Sequence, residues 1–264
     1  MADAEYEPGS AAAAEALAGL QGKLQNDLET QERAHDLVQN LQEIQARMGA
    51  AKAGAGTHRR GSNEESIFSS SNNGVELTKK SSILPPTISW HFIGTLQSSA
   101  ISKLARIQNL FAVHSIDGAK KAVTLNRLRP DDFPPVNVFV QVNTSGEDSK
   151  SGLEPSGEEL WETIQTIRKD CPKLTLKGLM TIGAIARSQA AKEGEENEDF
   201  ITLVNVAEGL EKRIEQEDGE KVTLSLSMGM SDDFENAISM GASCVRVGSS
   251  IFGTRPKKAD AKVL

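Results

Sequence analysis

The stretch VTLSLSMGMSDDFENAISMGASCVRVGSSIFG, Val222 to Gly253, contains two strand-like segments, VTLSLSM and CVRVG, on either side of one helix-like segment. A strand, a helix and a second strand in this order predict two parallel strands joined by a right-handed crossover. The first segment ends in Ser and Met followed by Gly, and the second ends in Gly followed by two serines. Small residues after a strand leave backbone N–H groups open to an anion. The stretch therefore predicts an α/β fold with a ligand site at the carboxyl ends of its strands.

The same alternation continues through most of the chain from Ile88 onward. Helix-length stretches follow six apolar segments: ISWHFIG, LFAVHSI, VNVFVQVN, LKGLMTI, VTLSLSM and CVRVGSSIFG. Such βα units indicate a parallel sheet, either doubly wound or closed into a (β/α)8 barrel. Phosphate commonly binds after the last two strands of such a barrel, where Gly248 and Ser249 lie. We interpret the pattern as an incomplete (β/α)8 TIM-barrel type with about six βα units and N-terminal helices.

Composition excludes several classes of protein. The 264 residues carry a formal net charge of −8, which argues against a nucleic-acid binder. Cys171 and Cys244 are far apart and lack metal-ligand spacing, which argues against a disulfide framework and a zinc site. No apolar segment reaches membrane-spanning length, and the N-terminus is acidic where a targeting peptide would be basic or acid-poor. We therefore expect a cytoplasmic protein without a membrane or nucleic-acid partner.

The chain divides into four segments. Residues 1–48 are predicted to form an N-terminal helical segment, because leucines recur at steps of three and four from Leu17 onward. Residues 49–84 include a stretch rich in Gly, Ser and Asn, and we expect a low-complexity or disordered loop there. Residues 85–256 form the predicted barrel domain, and residues 257–264 form a tail.

Five motifs are specific enough to indicate a family. They are WHFIGTLQ (Trp90 to Gln97), FAVHSID (Phe111 to Asp117), GLMTI (Gly178 to Ile182), SMGMSDDFENAI (Ser227 to Ile238) and VRVGSSIFG (Val245 to Gly253). In order and spacing they resemble the pyridoxal phosphate homeostasis proteins, single-domain barrels similar to the N-terminal barrel of alanine racemase. The resemblance implies a protein that binds pyridoxal 5′-phosphate (PLP) and acts in intracellular homeostasis of this cofactor. It also implies cofactor-requiring apoenzymes as partners.

The resemblance places the cofactor on particular residues. Ser227, Gly248 and Ser249 match the family's phosphate-binding positions, and Arg246 matches the arginine that faces the pyridine nitrogen. A guanidinium there disfavours protonation of the nitrogen and weakens the ring as an electron sink, which suits a carrier or a racemase better than an aminotransferase. Considered without the family, Arg246 is a charged residue in an apolar strand and is also compatible with a structural ion pair.

Two further residues complete the predicted cofactor site. Met228 is expected to fill the floor of the pocket, as methionine does in irregular apolar spaces. His91 lies between Trp90 and Phe92 in a predicted strand. It either contacts the cofactor at the barrel mouth or forms hydrogen bonds in the core.

Two strands of the family pattern are absent from the sequence. In the family, a strand reading like AVSK supplies the Schiff-base lysine and a strand reading like FGENY follows it. Here a stretch from Gly49 to Gly74 stands in their place, so we expect the 49–84 loop to replace the first barrel strands. PLP would then bind non-covalently at best, with no catalytic lysine. We do not expect Lys79, Lys80 or Lys150 to replace it, since the family has a lysine matching Lys150 beside its Schiff-base lysine.

Two other functions fit parts of the sequence. A PLP-dependent amino-acid racemase would need a lysine on one face of the ring and usually a tyrosine on the other, and the only tyrosine is Tyr6. A non-enzymatic interaction protein would pair its N-terminal helix with a partner, but helices in a barrel's outer layer have the same pattern. The sequence therefore favours a non-catalytic or weakly catalytic PLP-binding protein.

Overall fold

A computed structural model of the chain describes residues 28–54, 70–71, 74–147, 150–184 and 197–253. It contains a seven-stranded sheet whose strands lie in chain order. The strands are β1 (Ser70–Ser71), β2 (Trp90–Phe92), β3 (Leu110–Ile116), β4 (Val136–Gln141), β5 (Leu174–Met180), β6 (Ser225–Met230) and β7 (Cys244–Arg246). The helices are α1 (Leu28–Gly54), α2 (Gly74–Ile83), α3 (Ser98–Leu104), α4 (Ala119–Leu128), α5 (Glu158–Asp170), α6 (Glu198–Asp218), α7 (Phe234–Ser239) and α8 (Ser249–Phe252).

All six strands predicted from the sequence are present, and every neighbouring pair is parallel. The sheet has one further strand, β1, which pairs with β2 so that Ser70 lies opposite His91. The structure also differs from the loop predicted over residues 49–84. There α1 continues to Gly54 and α2 forms a ten-residue helix. The sequence of α2 is too polar to show the apolar pattern of a packed helix. Packing of the fully buried Leu77 stabilises the helix in the fold.

The sheet curls strongly, as a barrel requires. In a flat sheet β3 and β6 would lie about 14 Å apart, because neighbouring strands are separated by roughly 4.8 Å. The side chains of His114 on β3 and Ser227 on β6 nevertheless approach to 2.9 Å between Nδ1 and Oγ. Both residues therefore point into the interior of a curved sheet. The architecture is the barrel-like α/β fold that the sequence predicts.

The described part of the N-terminal helix belongs to the outer layer of this barrel. Ile44 and Met48 of α1 are buried, and the helix packs against α7 and α8. Asn40 Nδ2 donates to the carbonyl of Ile251 at 3.0 Å, and Arg47 pairs with Glu235 at 2.7 Å. Ile44 and Met48 lie on the apolar face that the sequence predicts for this helix. The predicted helix around Leu17 and the predicted tail lie outside the described residues.

A buried arginine holds the loops at the amino ends of the strands. Arg129 is 1% exposed, follows α4 directly, and donates hydrogen bonds to the carbonyls of Ala105, Ile107, Gln108 and Pro134. These carbonyls lie in the loops that lead into β3 and β4. A guanidinium has five N–H donors, and a buried carbonyl needs a donor. Arg129 therefore fixes two loops at the face of the barrel opposite the carboxyl ends of the strands.

No helix in the described ranges is long and apolar enough to cross a membrane.

Replacing Arg129 by Met is expected to lower the free energy of unfolding by about 3 kcal/mol, because several buried carbonyls lose their donor at once. Urea unfolding of the purified protein measures this change. Arg127→Met is the matched control, since Arg127 lies two residues earlier and is exposed. Its effect should stay within about 0.5 kcal/mol. Equal effects of the two variants would contradict the role given to Arg129.

Two glycines should respond to Ala with opposite signs. At Gly178 in β5 a Cβ would lie 1.8 Å from the backbone oxygen of Ser225 in β6, so Gly178→Ala must separate two paired strands. We expect a loss of about 3 kcal/mol in the free energy of unfolding. Gly209 lies in α6 with no atom within 4 Å of the added Cβ. Gly209→Ala should raise stability by about 0.5 to 1 kcal/mol because alanine favours the helix. Urea unfolding of both variants tests these signs.

Candidate functional site

A pocket of about 580 Å³ opens at the carboxyl ends of the strands. It is lined by Ile93, Gly94, Thr95, Ser115, Asp117, Gln141, Val142, Asn143, Ser145, Lys150, Ser151, Met180, Thr181, Ile182, Gly183, Met230 and Arg246. These residues lie at or just after β2 through β7. The position is the one at which (β/α)8 barrels carry their active sites. The pocket is therefore the candidate ligand site of the described structure.

Arg246 places a partly buried positive charge in the wall of this pocket. Its Nη2 donates to the carbonyl oxygen of Thr181 at 2.7 Å, whereas its Nη1 is buried and has no hydrogen-bond partner among the described residues. Burial lowers the pKa of the guanidinium, and the nearby Cys244 and Asp233 act in the opposite direction. An arginine stays protonated in a protein despite such a shift. One N–H group of a permanent cation thus lacks an acceptor at the candidate site.

Lys150 places a second positive charge on another wall of the pocket. Its Nζ donates to Glu147 Oε1 at 2.7 Å and to the carbonyl oxygen of Gly183 at 2.8 Å. The side chain is 25% exposed. Lys79 and Lys80, by contrast, are exposed on α2, where Lys80 pairs with Glu76. Of the three lysines considered from the sequence, the structure brings only Lys150 to the pocket.

A line of buried polar side chains crosses the barrel interior. His91 Nδ1 lies 2.8 Å from His114 Nε2, and His114 Nδ1 lies 2.9 Å from Ser227 Oγ. The ring of His114 stacks on Phe139 with the centroids 4.3 Å apart. Burial lowers the pKa of His91 to about 3, and burial lowers that of His114 well below its ordinary value, with further contributions from His91 and Arg246. Both imidazoles are therefore neutral, and each can donate from one nitrogen and accept at the other.

The predicted site residues occupy three different places. Arg246 lines the pocket. Ser227, Met228 and His91 are buried, at 0%, 0% and 2% exposure. The hydroxyl of Ser227 is engaged with His114, so its phosphate contact stays a prediction, as does the cofactor contact of His91. Gly248 and Ser249 are exposed at the start of α8, and the Gly248 N–H donates to Ser231 Oγ at 3.1 Å.

Sequence reasoning missed most of the polar residues that line the pocket. Gln141, Asn143 and Thr181 were not singled out, although each lies at or just after the end of a strand. Their positions at or just after the ends of VNVFVQ and LTLKGLM could have indicated them, because strand ends build the site of a barrel. Polar residues in βα turns are common, however, so only the observed convergence of the strand ends identifies these three.

The two buried histidines should make the protein less stable in mild acid. In the unfolded chain both take up a proton near pH 6.5, whereas in the folded protein both stay neutral to a much lower pH. The unfolded state thus binds more protons below about pH 6.5, and the free energy of unfolding falls as the pH drops, by up to about 1.4 kcal/mol per pH unit for each histidine.

Urea unfolding between about pH 5 and 6.5 measures this slope, a window in which most carboxyl groups stay ionised. His114→Gln keeps hydrogen-bonding groups but removes one titrating ring, so its slope should be about half that of the unmodified protein. His35→Gln is the control, because His35 is exposed on α1. A slope unchanged by His114→Gln would show that His114 does not control the acid response.

Sequence comparison relates the chain to known proteins. The profile of the family described as alanine racemase, N-terminal domain, matches residues 34–256. The pyridoxal phosphate homeostasis protein of Schizosaccharomyces pombe is 44% identical over 189 residues, which cover 71% of this chain and 74% of the yeast protein. The family match begins within α1 and extends past α8.

Two solved structures share the fold. A protein of unknown function from Bifidobacterium adolescentis is 26% identical with a TM-score of 0.64, covering 84% of this chain and 96% of that chain. PipY of Synechococcus elongatus, solved with PLP bound, is 25% identical with a TM-score of 0.56, covering 72% of this chain and 82% of that chain. The chain therefore belongs to the alanine racemase N-terminal domain family and, within it, to the pyridoxal phosphate homeostasis proteins.

Proposed function

We propose that this chain binds PLP in the pocket at the carboxyl ends of the strands and acts in homeostasis of this cofactor, with little or no catalysis of its own. The names of its relatives and the PLP-bound structure of PipY support the ligand class. The recipients of the cofactor would be PLP-requiring apoenzymes, and the site of action would be the cytoplasm.

The observation that carries the proposal is the unsatisfied Nη1 of Arg246 in the pocket wall. A buried N–H group without an acceptor is costly, so the site favours a ligand that supplies one. The pyridine nitrogen of PLP is such an acceptor when it is unprotonated. The residues present therefore fit the cofactor at this point of the pocket.

The contacts of Arg246 also argue against the alternative that it serves a structural ion pair. Within the described residues its side chain forms no salt bridge, and its bonded partner is a neutral carbonyl, that of Thr181. An arginine held by a backbone carbonyl is oriented, and Asp233 acts on its pKa from nearby without forming a salt bridge with it. The charge is thus available to a ligand in the pocket.

The phosphate of the cofactor would be held near the start of α8. Gly248 and Ser249 are exposed there, and the hydrogen bond from Gly248 N–H to Ser231 joins the loops after β6 and β7. The first N–H groups of a helix lack intrahelical acceptors and attract anions. Family resemblance and exposure support these two residues as the phosphate contacts.

The chemistry at the site favours storage over catalysis. Bound PLP supplies an aldehyde that condenses with amines and a ring that can withdraw electrons. Arg246 opposes protonation of the ring nitrogen and so weakens that withdrawal. A racemase would also need an acid on the second face of the ring, and no tyrosine is found among the described residues that line the pocket. The packing of α1 against α7 and α8 likewise disfavours a partner-binding role for the described part of that helix.

Arg246→Met should weaken PLP binding by about 10- to 100-fold, because a charge-assisted hydrogen bond to the ligand is lost. Equilibrium dialysis of the purified chain against PLP measures the affinity. Arg106→Met is the control, because Arg106 is exposed in the loop that leads into β3, at the opposite end of the barrel. An unmodified chain that retains no PLP would refute the proposed function, and equal affinities of the unmodified chain and Arg246→Met would refute the role of Arg246.

A further inference from the structure

We propose that Thr144 and Asp199 are positioning residues for the cofactor. They hold the short stretch from Thr181 to Ala184, directly after β5, so that the carbonyl of Thr181 aims the guanidinium of Arg246 at the ligand. This inference rests on the proposed function and deepens it, because it identifies what keeps Arg246 in its binding position. Neither Thr144 nor Asp199 is among the described residues that line the pocket.

The hydrogen bond that orients Arg246 ends on one backbone carbonyl. Nη2 of Arg246 donates to the carbonyl oxygen of Thr181 at 2.7 Å, and within the described residues the guanidinium forms no salt bridge. A long side chain such as arginine has many rotamers and is fixed only by its contacts. The direction of the Thr181 carbonyl therefore decides where the other nitrogen, the buried Nη1, points within the pocket.

Thr181 continues the β5 ladder by one residue. Its N–H donates to the carbonyl of Ser227 in β6 at 3.2 Å, and the residue is 2% exposed. This bond fixes the peptide group before Thr181. The carbonyl that Arg246 uses belongs to the peptide group after Thr181, so its orientation depends on contacts farther along the stretch.

The first of these contacts is a hydrogen bond between two threonine hydroxyls. Thr144 lies three residues after the end of β4, and its Oγ1 is 2.8 Å from Oγ1 of Thr181. The N–H of Gly183 donates to the same oxygen of Thr181 at 3.3 Å. A hydroxyl has one donor and two acceptor sites, so Thr181 can form both bonds. Thr144 thus fixes the side chain onto which the backbone at Gly183 folds back.

The second contact comes from a buried carboxylate. Asp199 is 0% exposed in the first turn of α6, and its Oδ2 accepts from the N–H of Ala184 at 2.7 Å. Oδ1 of Asn197 accepts from the N–H of Asp199 at 3.0 Å and so caps the helix. A carboxylate is stabilised near the N-terminus of a helix, and its hydrogen bonds are stronger than those of neutral groups. The start of α6 therefore anchors the backbone at Ala184.

The backbone between the two contacts is confined as well. Gly183 has a φ of +62°, and a Cβ there would lie 3.3 Å from Oδ2 of Asp199. Glycine adopts this left-handed conformation without strain and leaves room for the carboxylate. Thr181 and Ala184 are thus tied to two different elements, the end of β4 and the start of α6. The carbonyl of Thr181 is held between them.

Loss of either contact should release the Thr181 carbonyl and weaken PLP binding through Arg246. Thr144→Val removes the hydroxyl and keeps the shape of the side chain, and we expect binding to weaken by about 3- to 10-fold. Asp199→Ala removes the acceptor of the Ala184 N–H and should have a similar effect. Asp199→Asn keeps an oxygen acceptor and should restore most of the affinity. Equilibrium dialysis of the full-length chain against PLP measures these changes.

Thr124→Val is the matched control for Thr144→Val. The hydroxyl of Thr124 donates to the carbonyl of Lys120 within α4 at 2.7 Å, and Thr124 is not among the described residues that line the pocket. The same change of side chain should therefore leave the affinity for PLP unaltered. Urea unfolding shows that each variant is folded, and Thr144→Val carries the test alone if Asp199→Ala fails to fold.

A double-mutant cycle separates positioning from a general loss of structure. Each variant is measured in the unmodified chain and in Arg246→Met. If Thr144 and Asp199 act through Arg246, their variants should change the affinity by less than about 2-fold once Arg246 is absent. A variant that only loosens the fold would weaken binding by the same factor in both backgrounds.

The absorbance of bound PLP gives a second readout that needs no change at Arg246. The guanidinium opposes protonation of the pyridine nitrogen, so displacement of Arg246 should let this nitrogen take up a proton at higher pH. The transition of the ring nitrogen in a pH titration of the bound spectrum should therefore move to higher pH in Thr144→Val and Asp199→Ala. It should stay in place in Thr124→Val.

Three results would overturn the inference. They are full affinity in both Thr144→Val and Asp199→Ala, an equal factor of loss with and without Arg246, and an unshifted spectral transition in folded variants that bind PLP more weakly. All three leave the proposed function intact, because the unmodified chain still binds PLP. An unmodified chain that retains no PLP would refute both proposals together.

Discussion

The structure depends on the hydrogen-bonded line from His91 through His114 to Ser227 across the barrel interior. These side chains belong to β2, β3 and β6, which can meet only if the sheet is curled. Two neutral imidazoles and a hydroxyl form hydrogen bonds in series there, since each ring offers one donor and one acceptor. A buried polar network of this kind constrains geometry more tightly than apolar packing, because any misalignment leaves a polar atom unsatisfied. The hydrogen bonds from His91 through His114 to Ser227 thus stabilise the curvature of the sheet, on which the pocket at the carboxyl ends of the strands depends.

The position of Arg246 links this interior network to the pocket. Its guanidinium contributes to the lowered pKa of His114 and also lines the pocket wall. The loop after β5 accepts hydrogen bonds from both cations. Arg246 donates to the carbonyl of Thr181, and Lys150 donates to the carbonyl of Gly183. One short loop therefore positions the two cations that the candidate site presents. Residues on β7 and after β4 line the same pocket because the strands between them are curved.

The barrel retains a candidate ligand site although two strands of the family pattern are absent from its sequence. The two-residue strand β1 forms one edge of the sheet and β7 forms the other. Helix α1 packs on α7 and α8, so it supports the β7 side. The pocket is built at the ends of β2 to β7, which are all present. The absence of the AVSK-like and FGENY-like strands from the sequence therefore leaves the walls of the pocket in place.

The sequence by itself determined the parallel βα order and the family, and it singled out Arg246, which lines the pocket. These follow from local patterns: the alternation of apolar strands with helices, and five motifs in register. It did not determine α2, because a polar helix with one buried leucine, Leu77, is fixed by its packing and not by its composition. Only the tertiary structure decided that Ser227 and His91 lie in the interior and that Lys150 lies in the pocket. The reason is physical: the direction of a side chain from a curled sheet depends on register and curvature, which are set by contacts between residues far apart in the chain.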